Sequence, residues 1–245
     1  MRRSVAGILI AVAGLCYSSW VMEFAWADSL DPMRSFLSEL DAANRPHRDI
    51  YVVGDVTTGI CALVAALLLL VPHRTFRGRT ATTAVLALAV FGAATIADAL
   101  LPIECIPGVD AGCPREPSGL LPQLHHIHAL TSTVAVFAIF TVMVAAGVSA
   151  LRSTSSGGTV WPVLRRIGNT VFVVVALATV WMLVADNLSG DFRLGLAQRI
   201  QVGGMSVWLM LWGWAVLSSR DGGRSTDRHT PIAHRAVPAD GSGGR

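Results

Sequence analysis

The sequence predicts an all-α membrane protein, a six-helix transmembrane bundle with both termini in the cytoplasm. Two observations carry this expectation. Six apolar stretches, at 4–22, 50–72, 80–101, 126–151, 167–188 and 200–219, each approach the roughly 20 residues that a helix needs to cross about 30 Å of hydrocarbon. The charges between them sort by side. If every stretch crosses, the face holding both termini collects Arg2, Arg3, Arg74, Arg77, Arg79, Arg152, Arg165, Arg166 and the five arginines from Arg220 onward, opposed only by Asp221, Asp227 and Asp240. The other face takes the thirteen remaining acids and only Arg34, Arg45, Arg48, Arg115, Arg193 and Arg199. By the positive-inside rule the arginine-rich face is cytoplasmic, which makes the expected bundle a multi-pass membrane protein with its arginine-poor connections outside.

Composition supports a single bundle. With 53% hydrophobic and 14% charged residues in 245, the chain is too apolar for an ordinary soluble domain and too short for two membrane bundles. The net charge of +3 is a difference between a cytoplasmic excess of positive charge and an outer excess of negative charge, and it carries no nucleic-acid signature. Nothing in the pattern specifies an oligomeric state.

The first stretch follows Arg2 and Arg3 and precedes Ala25-Trp26-Ala27, so it also imitates a cleavable secretory signal. Its length, and the distance from its apolar core to Ala27, favour a span. The outer loop from Glu23 to Asp49 holds Met33, Phe36, Leu37 and Leu40 at helical spacing after Pro32, which predicts a short helix on the membrane surface or over the bundle. The second and third spans are joined by Val71 to Arg79, which contains a Pro and a Gly and reads as a turn. Between the third and fourth, Pro102 to Gln123 has five prolines and two cysteines and reads as a compact lid. Cys105 and Cys113 lie there in an oxidising compartment, so a disulfide is expected; a zinc site shared with two histidines is the alternative. Arg152 to Pro162, with Ser155-Ser156-Gly157-Gly158, is a second flexible cytoplasmic turn. After the last span, 220–245 has almost no large apolar residue and reads as a disordered basic cytoplasmic tail.

Ionisable groups inside spans mark interior cavities or sites, and here they crowd the outer ends of the helices. Asp55 lies in the second span, Asp98 near the end of the third, His125, His126 and His128 at the start of the fourth, Asp186 and Asn187 at the end of the fifth, and Arg199 and Gln201 at the start of the sixth. His125 and His128, three residues apart, share a face. Three readings stay open: carboxylates paired with Arg199, Arg48 or a histidine to knit helix ends; a pocket for a small molecule or lipid; or zinc held by Asp55, Asp98, His125 and His128, with Asp186 a further candidate and an open position for water.

These residues carry a resemblance. Ser38-Glu39-Leu40, Gly54-Asp55 followed by Gly59, Asp98 with Leu101-Pro102 and Cys105, then Cys113, the His125 to His128 cluster before Thr131-Ser132, and Gln198-Arg199 resemble a bacterial and archaeal membrane family known only as domain of unknown function 998. The resemblance covers about Ser4 to Ser219. It implies a six-helix membrane protein and assigns no activity or functional residue. The Ser, Asp and His ingredients also resemble the membrane hydrolases that include alkaline ceramidases and the progestin and adipoQ receptors, which use them to bind zinc. That superfamily has seven helices and spreads its histidines over two of them, whereas this chain places three in one turn.

Transport normally needs a site near the midplane, and the cytoplasmic halves of these spans contain neither acid nor histidine. A bis-histidine haem needs ligands on facing helices, and one helix here supplies them all. Two expectations remain. One is a non-enzymatic membrane component whose outer pocket, with Ser38, Glu39, Asp55, Asp98, His125, His128, Asp186 and Arg199, binds a lipid, an envelope molecule or a partner. The other is a zinc-dependent hydrolase at the outer leaflet, with Ser38 or Glu39 orienting substrate or moving protons.

Overall fold

A computed structural model describes residues 1–26, 30–70, 78–106, 108–113, 124–153, 164–185, 187–188 and 190–218. The described chain is helical: α1 (Arg2–Cys16), α2 (Arg48–Leu70), α3 (Arg79–Leu100), α4 (Leu124–Ser153), α5 (Asn169–Ala185) and α6 (Leu194–Ser218). Six segments are long and apolar enough to cross a membrane. Large apolar side chains stand exposed around the bundle, among them Val53 on α2, Leu86 on α3, Phe137 on α4, Leu177 on α5 and Val207 on α6. Such a belt has its natural solvent in lipid, where only self-satisfied backbones such as helices can span.

The helices pack as a ring in the order α4, α3, α2, α1, α6, α5. Small residues let neighbours approach until backbones touch, as is usual where lipid provides no hydrophobic drive between helices. A methyl group added at Gly59 of α2 would lie 2.5 Å from the Gly92 carbonyl oxygen of α3, and one added at Gly92 would lie 2.6 Å from the Gly59 oxygen. Thr58 fastens α2 to α1, its hydroxyl shared between the carbonyls of Gly54 at 2.9 Å and Ala13 at 3.1 Å. Trp208, Trp212, Phe91, Leu88 and Ile139 fill the centre of the bundle. The ring closes loosely: α4 meets α5 through the edge-to-face pair Phe140–Phe172, with centroids 5.9 Å apart, and through a π-helical turn, Leu164–Gly168, that leads into α5.

Several boundaries differ from the sequence reading. The first span is not one continuous α-helix; after Cys16 it tightens into a 3-10 segment, Ser19–Ala25. The last helix begins at Leu194 rather than near residue 200, because Arg199 is not a boundary charge facing water but is neutralised inside the fold. The surface helix expected over Met33 to Leu40 is replaced by a turn at 31–35 and a short 3-10 turn, Leu37–Glu39. Phe36 between them is extended (φ −72°, ψ 155°), and the Leu37 amide donates to Gln198 Oε1 at 2.6 Å instead of to its own chain. Tertiary hydrogen bonding thus overrides local helical spacing.

Over this end of the bundle the two long loops build a small core from Leu30, Leu40, Ala42, Ile103 and Ile106 packed with Tyr51 of α2. The Ala43 amide donates to the Ile103 carbonyl at 2.9 Å, Arg45 pairs with Asp110 at 3.4 Å, and Arg48 Nε donates to the Asp41 carbonyl at 3.0 Å. Cys105 and Cys113 form a disulfide with Cα atoms 5.8 Å apart, which closes the second loop on itself. The expected 220–245 tail lies outside the described residues.

Candidate functional site

Beneath this cap, α2, α3 and α4 each turn a polar face inward. On α2, Tyr51 and Asp55 are one turn apart and share a face. On α4, His128, Thr131 and Ser132 do the same and meet Asp98 near the end of α3. Thr131 and Ser132 hydroxyls both donate to Asp98 Oδ1, at 2.6 and 2.7 Å. His128 Nδ1 lies 3.4 Å from the same oxygen and 2.9 Å from the Leu101 carbonyl oxygen just beyond α3. A carbonyl oxygen only accepts, so Nδ1 carries the proton, and in the neutral ring Nε2 is left as an acceptor. That Nε2 is buried and has no hydrogen-bond partner among the described residues.

Two adjoining cavities flank this arrangement and share Ser38, Ser132 and Gln198 as lining. The inner one, about 100 Å³, is bordered by Asp41, Asp55 and Asp98 with Tyr17, Trp20 and Tyr51. Its outer neighbour, about 400 Å³, is bordered by His128 and Ala129 of α4, Met182 and Leu183 of α5, and Phe36, Glu39, Ile103 and Ile106 of the cap. Asp41 is 6% exposed, and its Oδ1 is also buried without a partner among the described residues. Burial pushes the Asp41 carboxyl up to about 7; the Asp98 charge pushes it further and Arg48 pulls it back. Burial also raises Glu39, against the Phe36 amide and the more distant Arg45 and Arg199.

Arg199 does not join the carboxylates of α2 and α3. Its Nε and one terminal nitrogen donate to the two oxygens of Glu23 at 2.7 and 2.6 Å, and the other terminal nitrogen donates to the carbonyls of Ser35 at 2.7 Å and Gly195 at 3.1 Å. Both side chains are buried, so this bidentate pair fastens the end of the first span, the first loop and α6 into one unit. Of the other sequence-predicted residues, Asp55, Asp98, His128, Ser38 and Glu39 border the two cavities. Asp186 and the His125 side chain lie outside the described residues. Among the described residues, no group of three or more His, Cys, Asp or Glu gathers closely enough to hold a metal ion, and Cys105 and Cys113 are occupied with each other.

Sequence reasoning missed Asp41 and Glu23. Asp41 sits in a loop of many polar residues where nothing local distinguishes it. Glu23 had a signal: an acid closing one span and an arginine opening another, both at the same end, are candidates to neutralise each other.

Six helices long and apolar enough to cross a membrane define a polytopic membrane protein. The chain belongs to the family described as protein of unknown function DUF998, whose model matches residues 10–215. Neither a curated protein nor a solved structure matches it.

Proposed function

We propose that this protein is a plasma-membrane component, with both termini cytoplasmic, whose capped polar site binds the head group of a lipid or other envelope amphiphile. The orientation rests on the arginine excess of the face that would hold both termini. The binding role rests on one observation: His128 Nε2 is buried against a cavity and has no partner among the described residues. A buried polar atom left unpaired costs about 1 to 3 kcal/mol, and a ligand that donates to it removes that cost. Asp41 Oδ1, in the same condition beside the inner cavity, supports the same reading. Arg199 belongs to the scaffold in this account, whereas Ser38, Asp41, Asp55, Asp98, His128 and Gln198 surround the ligand.

Native mass spectrometry of protein released from micelles containing 1-oleoylglycerol tests this. A one-to-one adduct is expected for the wild type and a weakened one for His128→Gln and for Ser132→Leu, which fills the shared wall of the cavities. Equal adducts in all three proteins, or none in any, would contradict the proposal.

A further inference from the structure

Resting on that binding role, the geometry points to a ligand of defined class and route: we infer an amphiphile whose head donates hydrogen bonds and carries no negative charge, and which enters sideways from the bilayer between α4 and α5.

The head-group chemistry follows from what borders the cavities. His128 Nε2 is an acceptor in the neutral ring, and Asp41, Asp55, Asp98 and Glu39 contribute carboxyl oxygens. No arginine among the described residues borders either cavity. The nearby guanidinium groups are engaged elsewhere: Arg199 with Glu23, Arg45 with Asp110, and Arg48 with the backbone carbonyls of Asp41 and Ala99. A phosphate or carboxylate head would meet several carboxyls and, among the described residues, no guanidinium in a poorly screened space. Hydroxyl or ammonium heads would find acceptors on every side.

The route follows from the walls. From the aqueous side the outer cavity is roofed by the cap, where Ile103 and Ile106 are 6% and 2% exposed. Its flank is formed by Ala129 and Leu183, which belong to two apolar spans and are exposed on the bundle surface, Leu183 by 66%. Those two helices, α4 and α5, are the loosely joined neighbours in the ring. A chain lying along this cleft keeps its methylenes against Met182 and Leu183 and in lipid, while its head reaches His128. The size of the outer cavity, about 400 Å³, suits a small head and the first carbons of a chain.

The test uses the full chain in nanodiscs and a 1-oleoylglycerol analogue with a diazirine in its tail, photolysed and mapped by peptide mass spectrometry. Labelling is expected on α4 and α5 near Ala129 and Leu183, and 1-oleoylglycerol or oleylamine should suppress it at concentrations at least about tenfold lower than 1-oleoyl lysophosphatidate requires. Leu183→Trp, a change on an exposed face that leaves the fold unburdened, should slow labelling by narrowing the mouth. If lysophosphatidate competes as well as the others, the head-group assignment is overturned while binding stands. Unchanged labelling kinetics in Leu183→Trp would overturn the lateral route. If no competitor acts and His128→Gln labels as the wild type does, the binding role itself falls.

Discussion

Removing either partner of the Arg199–Glu23 pair should destabilise the protein far more than removing both. In Arg199→Met the Glu23 carboxylate, 5% exposed, keeps its burial and loses both of its guanidinium donors. Two charge-assisted hydrogen bonds, each contributing roughly 1.5 to 3 kcal/mol, are lost at once, in line with the roughly 3 to 5 kcal/mol seen when one member of a buried pair is deleted. For a chain of this size that corresponds to a fall in Tm of roughly 6 to 20 °C. Glu23→Met should fall by a similar amount, since the Arg199 guanidinium then keeps the Ser35 and Gly195 carbonyls but has lost its counter-charge. The double substitution replaces two buried charges by apolar side chains of similar length and should recover a large part of the loss, leaving a coupling energy of about 3 kcal/mol in a double-mutant cycle. Thermal melts of the four detergent-purified proteins provide the measurement. Strictly additive losses, or single-variant losses below about 1 kcal/mol as for an exposed pair, would refute the scaffold role.

Other outcomes are equally specific. Asp41 is held above its ordinary value of 3.8, at about 7, so the folded state binds a proton that the unfolded state releases. Its contribution is therefore fully present below about pH 4 and is lost as pH rises toward 7; Asp41→Asn should flatten that part of the stability profile measured by chemical denaturation. Asp98→Asn should fold normally, because an amide oxygen still accepts from Thr131 and Ser132, yet it should weaken 1-oleoylglycerol binding in the mass-spectrometric assay. Gly92→Val should lower the melting temperature, since even a single carbon there meets the Gly59 oxygen at 2.6 Å and overpacking costs about 1 to 3 kcal/mol. Replacing Cys105 and Cys113 by Ser opens a loop of sequence separation 8, and should loosen the cap by about 2 to 3 kcal/mol, read as faster amide exchange at Ala43 with the exchange of α2 and α6 unchanged.

The bundle was legible because hydrocarbon thickness fixes helix length and because an ionisable side chain in a span must be accounted for. Asp55, Asp98 and His128, scattered over 74 sequence positions, were drawn to one place by that reasoning alone, and all three border the cavities. What remained hidden depends on contacts that sequence spacing does not encode. The apolar period of Met33 to Leu40 suggested a helix, but Gln198 of α6 takes the Leu37 amide and the segment becomes two turns. Arg199 stood among candidate site residues until its four hydrogen bonds tied it to Glu23 and two carbonyls. Asp41 is chemically ordinary in the sequence; only the fold of the cap removes it from water and sets it beside Asp55 and Asp98.

The most direct measurement is ¹⁵N NMR of the His128 imidazole, assigned by difference from His128→Gln, with and without 1-oleoylglycerol. The binding account predicts an Nδ1–H tautomer whose unprotonated Nε2 resonance moves toward hydrogen-bonded values as the amphiphile is added. An Nε2–H tautomer, or an Nε2 signal indifferent to saturating 1-oleoylglycerol, would contradict it.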